Sequence, residues 1–211
     1  MIRIEKKTLA GYAFFAVLIG STNFAKAAEY QIDSSHSEIG FKVKHLGIST
    51  VSGSFGTFNG SFSVDPKNIK GTSGKVVIDV NSINTANTKR DNHLKSPDFF
   101  DAQNFPTLKF ESKEVRDINE KDSTCTLIGN FTLHGVTKEI ALKVKGGGIV
   151  HDGYGGERAA FTATGRINRY DYGLKWNKAL EAGALVVSQE VDLVLAFEGV
   201  RQLTPAAKPV K

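Results

Sequence analysis

Apolar and polar residues alternate with a period of two along most of the chain after residue 37. From Glu38 to His45, Ile39, Phe41, Val43 and His45 fall on one face, and Glu38, Gly40, Lys42 and Lys44 on the other. That period over eight residues predicts a half-buried strand. Phe58, Gly60, Phe62 and Val64 repeat it up to the turn signal Asp65-Pro66. Further strands are expected at Val76 to Val80, at Leu108 and Phe110 after Pro106, and from Cys125 to Leu133. Ile140, Leu142 and Val144 predict another, stopped by Gly146-Gly147-Gly148. Phe161 to Ile167 and Val191 to Phe197 complete the set. One short helix is expected over Thr88 to Lys95, limited by Pro97, with a further helical turn near Lys178 to Ala184. Eight or more short strands separated by turn residues predict an all-β sandwich or barrel. Eight antiparallel strands closed into a barrel leave no edge, and their interior holds side chains or one small ligand.

The first 27 residues stand apart from this pattern. Arg3, Lys6 and Lys7 precede an uncharged apolar run, Leu9 to Gly20, and Ala25-Lys26-Ala27 offers a small-x-small cleavage site. Together these predict an export signal peptide over 1–27, cut after Ala27, and hence a product outside the cytoplasm. The run is too short for a bilayer, which needs about 20 residues, and no later segment reaches that length. The mature domain is expected over 28–201, with a Pro/Ala/Lys-rich, disordered tail over 202–211. The net charge of +5 is largely the leader's. Removing Arg3, Lys6, Lys7, Lys26 and Glu5 from 27 basic and 22 acidic residues leaves 23 and 21, a net +2. No basic block survives, so nucleic acid is not an expected partner. A single Cys125 excludes an intrachain disulfide framework and any Cys-based zinc site, and it reads as a small buried residue. The 14 Phe, most of them in or beside predicted strands, supply the apolar surplus that a ligand-holding barrel needs.

Catalytic chemistry has little to build on. The five His (His36, His45, His93, His134 and His151) show no metal-ligand spacing, so no metal or cofactor is expected. No nucleophile elbow, P-loop or dinucleotide fingerprint is present. Asp33-Ser34-Ser35-His36-Ser37 contains a Ser/His pair but reads first as a turn, its short polar side chains bonding nearby backbone. Lys89-Arg90-Asp91-Asn92-His93-Leu94-Lys95 reads either as a solvated helical face or as a polar lid with Phe99, Phe100 and Phe105 beneath it.

Several of these segments, taken together, resemble the YceI-like family. Tyr30 to Ser37 with Ile39-Gly40-Phe41 and Val43 to Gly47 matches its opening. Arg90 to Ser96 with Asp98 to Asp101 and Phe105-Pro106, Gly129 to Lys138, and Asn168 to Leu174 follow in family order. The resemblance covers nearly all of Glu29 to Arg201. It implies a lipocalin-like antiparallel eight-stranded barrel, a periplasmic location, and an apolar tunnel for a polyisoprenoid or other long-chain lipid, with no established catalysis.

On that footing Phe41, Val43, Phe58, Phe99 and Phe105 are candidates for the barrel interior, with Phe100 beside them. Arg90, His93 and Lys95 are candidates for the ligand's polar head, Asp91 for orienting Arg90, and His36 and His45 for the tunnel entrance. The expected partner is one long-chain isoprenoid or acyl lipid. A homodimer is an open possibility. A lipid-modifying enzyme using His36 with Ser35 or Ser37, or His93 with Asp91, and a ligand-free structural barrel are the competing readings.

Overall fold

The computed structural model describes residues 27–177 and 186–202. The leader expected over 1–27 (all but its last residue), the helical turn near Lys178 to Ala184 and the tail from Thr204 lie outside the described residues. The strands run in the order β1 (Ala28–Ile32), β2 (Glu38–His45), β3 (Ser49–Phe55), β4 (Phe58–Val64), β5 (Ser73–Asp79) and β6 (Ile83–Asn84). After the helix α1 (Thr88–Lys95) come β7 (Thr107–Asn119), β8 (Thr124–Leu133), β9 (Val136–His151), β10 (Glu157–Asn168) and β11 (Val187–Arg201).

All pairings are antiparallel, and the sheet closes on itself. β1 and β2 lie end to end along β11: Ile32 opposes Gly199 and Glu38 opposes Ala196, with residues 33–37 looping out between them. β4 and β3 continue one another against that pair, and β5 and β6 do the same one place further round. The segments therefore form eight staves. β11 completes the ring, with β10 on one side and β1 and β2 on the other. Successive staves are neighbours throughout, an up-and-down meander without a free edge along the wall.

The period-two pattern decides what faces inward. Ile39, Phe55, Phe58, Val76, Ile78, Leu108, Leu127, Phe131, Leu142 and Phe197 are buried along the axis, while the charged residues between them face water. Burying each such side chain contributes about 1.5–3 kcal/mol. The glycine excess has a related cause. Gly53 stands opposite Phe41 in register, and a Cβ on it would come within 2.4 Å of the Phe41 ring. The Phe110 ring lies as close over Gly129 (2.4 Å) and the Phe62 ring over Gly199 (2.6 Å). Aromatic rings laid over these glycines line the wall without filling the axis.

One expected boundary moves. β9 does not stop at the triple glycine but continues to His151. Gly146 pairs with Phe161 and Gly148 with Ala160, leaving Gly147 as the extra residue of a bulge. Gly148, at φ 105°, supplies the backbone conformation that the bulge requires. The ladder thus resumes where a glycine run would otherwise end it.

The two ends of the barrel differ. At one end, the chain between β6 and β7 folds inward and buries Phe99 and Ala102, while Tyr172 and Leu174 close in from the other side. Asn87 starts α1 by accepting from the Arg90 backbone N–H. Arg169, 4% exposed, ties this end together. Its guanidinium donates to the carbonyls of Leu174 (2.6 Å), Ser188 (2.9 Å), Trp176 (2.9 Å) and Val187 (3.3 Å). At the opposite end, among the described residues, the β4–β5, β7–β8 and β9–β10 turns surround the axis, beside the start of β1 and the end of β11.

Candidate ligand-binding site

The barrel axis is not filled. A chamber of about 90 Å³ lies between the staves, walled by Ile39, Phe41, Phe110, Phe131, Ile140 and Leu193, among others. Phe41, Phe110, Ile140 and Leu193 point inward yet are only half-buried, because the space beside them is empty. Among the described residues, the chamber's wall has no His, Asp or Glu. Its one lysine, Lys75, sits at an exposed, outward position of β5.

Toward the turn end this lumen meets a larger vestibule of about 420 Å³. Phe62, Gly74, Leu127 and Phe161 line both spaces and form the throat between them. The Phe62 and Phe161 rings meet edge to face at 5.0 Å. Beyond the throat the wall mixes Val64, Ile69, Ile118 and Val144 with Ser73, Asn119, Ser123 and Thr124. Asn119, Glu120 and Ser123 are exposed, so the vestibule opens to water there. Cys125 also lines it, half-buried, and burial pushes its thiol pKa up. A third space of about 400 Å³ adjoins the vestibule at Val64, Pro66 and Ile149 and is polar, with Asp65, His151, Glu157 and Arg201. Polarity therefore rises along a single path from the lumen to the rim.

Of the sequence-predicted residues, Phe41 lines the lumen. Phe58 is buried in the same core, edge to face with Phe197 at 6.5 Å. Val43 is half-buried further along β2, opposite Val51 and Val191. His45 ends β2, half-buried opposite Ser49 and Val187. The α1 group sits at the closed end and lines none of the three spaces. Arg90 donates to the Thr85 hydroxyl and carbonyl, both at 2.7 Å, and Asp91 accepts from the Thr85 backbone N–H at 2.9 Å. The pair clamps the connection into α1 rather than one member orienting the other. His93 bonds Asp98 at 2.9 Å and packs edge-on against Phe99 and Trp176. Lys95 is half-buried, and its carbonyl accepts from Ala102. Phe100 meets Phe55 at 6.0 Å, and Phe105 packs on His134 at 4.4 Å.

The throat residues Leu127, Phe62 and Phe161 were within reach of the sequence, since they belong to the same alternation as Phe131, Phe58 and Ile167. What alternation lacks is the axial direction, and so it does not say which end is open.

The Asp33–His36 cluster lies on the outer wall, bridging the break between β1 and β2. Arg158 Nη1 donates to both Asp33 (3.0 Å) and Glu198 (2.6 Å), and Arg158 Nε to Asp152 (3.3 Å). Asp33 also bonds His36 Nδ1 at 2.9 Å. Hydrogen bonds from Ser35, His36 and Arg158 hold the Asp33 carboxyl well below the usual carboxylate range. Asp33, His36 and Glu198 bring donor atoms within 4.8 Å of one another, but the Arg158 cation already bridges the two carboxylates. Ser35 Oγ lies 3.4 Å from the same ring nitrogen that Asp33 engages. A hydrolase triad needs the two on opposite nitrogens. The cluster is a clasp across a broken stave.

A closed antiparallel barrel of eight staves, with an apolar lumen reached through one end, defines a lipocalin-type barrel. Comparison with known proteins makes the assignment specific: the YceI-like domain family model matches residues 30–199, and the chain belongs to that family. A UPF0312 protein of Pseudomonas aeruginosa (strain LESB58) is 41% identical over 199 residues, covering 93% of this chain and 99% of the relative. The crystal structure of a YCEI protein of Campylobacter jejuni superposes with TM-score 0.65 at 30% identity, covering 81% of this chain and 96% of that one. A domain from Saccharophagus degradans, described as polyisoprenoid binding and implicated in plant cell wall breakdown, shares the fold with TM-score 0.59 at 18% identity, covering 83% of this chain and 99% of that one.

Proposed function

We propose that this protein holds and carries one long-chain apolar lipid, a polyisoprenoid, isoprenoid quinone or fatty-acid derivative, with its tail running from the lumen through the vestibule and its head at the rim. The observation that carries this reading is the apolar chamber on the barrel axis, separated from an open vestibule by Phe62, Gly74, Leu127 and Phe161, which line both. An apolar cavity offers water no hydrogen-bond partners and stays dry, which leaves it free for hydrocarbon. A tail of about 20 carbons at roughly 0.3 kcal/mol per atom gives about −6 kcal/mol, an affinity of tens of micromolar. Apolar burial therefore retains a tail but distinguishes poorly between tails. Membership of the YceI-like family supports the reading, and the polyisoprenoid binding described for the Saccharophagus degradans domain supports a prenyl tail.

The reading is binding without turnover. No histidine lines the lumen or the vestibule among the described residues, and the Ser35–His36 pair lies on the outer wall, away from both. The α1 group acts as the closed end, with Phe99 and Phe100 packed over the core. The basic, apolar and small-x-small order of residues 1–27 supports delivery to the periplasm. Native mass spectrometry of the protein purified from its own host, followed by organic extraction, tests the proposal. About one apolar chain per barrel is the expected result. A bare protein mass that stays bare after incubation with prenyl and acyl lipids overturns it.

A further inference from the structure

A long prenyl or acyl tail resides in a bilayer, not in water. Each methylene exposed on leaving lowers the escaping fraction by a factor of about four, and the factor compounds along the tail. A carrier of such a tail therefore loads where its mouth meets the membrane. The end of the barrel that opens through the vestibule also presents Tyr154, 99% exposed, at the tip of the β9–β10 turn. Asp152 builds that turn. Its carboxylate accepts from the backbone N–H groups of Tyr154 (3.1 Å) and Gly156 (2.7 Å) and from Arg158 Nε (3.3 Å). Gly155, at φ 86°, supplies the left-handed conformation of the reversal. The Tyr154 ring is thus held out to solvent by a hydrogen-bonded turn. Val150, 62% exposed, and Ile149 lie further down the same hairpin and line the third space, and Ile149 reaches the vestibule as well. Apolar exposure runs from the turn tip to the mouth.

Charge favours no other partner for this face. On the β4–β5 and β7–β8 turns Lys67, Lys70 and Lys121 balance Asp65, Glu120 and Asp122, and Asp152 is held by Arg158. We propose that the open end docks on a lipid bilayer, with Tyr154 and Val150 entering the interface and the mouth held against the surface that supplies the tail. Tyrosine suits that depth, since its ring is apolar and its hydroxyl stays among the head groups. The proposal rests on the carrier reading and adds to it the partner from which the cargo comes. The closed end exposes Leu46 and Ile48 in the β2–β3 turn, but neither lines any of the three spaces, so Ile48 serves as the control.

Vesicles of phosphatidylethanolamine and phosphatidylglycerol carrying dibromostearoyl phosphatidylcholine quench any indole that reaches their acyl chains. Trp176, the chain's single tryptophan, packs against Phe99 at the closed end and gives the background signal of the parent. Tyr154→Trp is expected to be quenched severalfold more than the parent, and Ile48→Trp no more than the parent. Tyr154→Ser combined with Val150→Ser is expected to slow geranylgeraniol transfer between vesicles severalfold, while the soluble fluorophore N-phenyl-1-naphthylamine binds as it does to the parent. Tyr154→Trp quenched no more than the parent, as on a protein-binding face, overturns the docking proposal and leaves the carrier reading intact. So does equal quenching of Ile48→Trp, or transfer unchanged in the double serine variant. Quenching confined to Tyr154→Trp, in a protein that takes up neither geranylgeraniol nor the fluorophore, overturns the carrier reading alone.

Discussion

Gly129→Ala tests the proposition that glycines keep the lumen open by seating aromatic rings. Gly129 lies on the inward face of β8, between Leu127 and Phe131, and the Phe110 ring of β7 lies across it. A Cβ there would come within 2.4 Å of the Phe110 ring and 2.6 Å of the Glu111 carbonyl oxygen. The ring can yield only toward the chamber it lines, and the carbonyl only by moving the β7 backbone. Overpacking of this kind costs about 1–3 kcal/mol, and the backbone overlap places this site near ~3. Restricting the unfolded chain returns up to about 1 kcal/mol where the backbone conformation is compatible. The net loss is then about 2 kcal/mol, or roughly 4–8 °C in melting temperature for a domain of this size. Gly74→Ala is the control on the same wall. There the nearest atom to a new Cβ is the Phe62 Cβ at 3.5 Å, an ordinary contact, so its melting temperature should match or exceed the parent's. Calorimetry measures both, and displacement of N-phenyl-1-naphthylamine measures lumen capacity, which should fall only in Gly129→Ala. Adding Phe110→Leu to Gly129→Ala should restore stability non-additively. The reasoning is refuted if Gly129→Ala melts with the parent and binds equally well, or if Gly74→Ala is equally damaged.

Three further outcomes follow from the same geometry. Leu127→Trp adds bulk at the throat and should weaken lipid binding at least tenfold by titration, while a variant with full affinity contradicts a path through that point. Asp33→Asn should destabilise the fold by about 1.5–3 kcal/mol at pH 7 in denaturant titrations, the range for hydrogen bonds to a charged group. Because the folded Asp33 carboxyl is depressed below its unfolded value near about 3.9, its contribution is present above that pH and is lost as pH falls toward the folded value. The gap between parent and variant should therefore close below about pH 4, and a gap that stays constant contradicts the clasp. Arg169→Ala removes the donor from the Leu174, Trp176 and Ser188 carbonyls, Val187 keeping Asn177, and should cost about 3 kcal/mol, with loss of order at the β11 start visible by hydrogen exchange.

Much of the fold was legible because a barrel wall forces inside–outside alternation residue by residue. Ile39, Phe41 and Val43, or Leu127, Gly129 and Phe131, declare their strands directly, and Pro97 limits α1 where the structure has it. β3 was harder to see. Its sequence, Ser49 to Phe55, is mostly Ser, Thr and Gly, because Gly53 must leave room for the Phe41 ring. The breaks in the first three staves were equally hidden, since pairing along β11 is a non-local property. The site was legible in composition and not in position. The Phe surplus signals an apolar interior, but the polar cluster Arg90 to Lys95 draws attention to the closed end. Its charges are used on Thr85 and Asp98, a fact that depends on contacts the sequence does not print. The charges of the open end, Asp65, Lys67 and Lys70, Glu120 to Asp122, and Asp152, are spread over three separate turns, so no single segment marks it.

The central claim, that a lipid tail reaches the lumen through the vestibule, is tested most directly at Cys125, the chain's single cysteine, which lies in the vestibule wall. The measurement is its alkylation rate by a small maleimide, with and without saturating geranylgeraniol, at a pH where the burial-raised thiol reacts slowly enough to time. Occupancy should slow the reaction more than tenfold, and the Leu127→Trp variant should lose that protection. An alkylation rate unchanged at saturating lipid would contradict the account, because nothing bound along this path could leave Cys125 equally exposed.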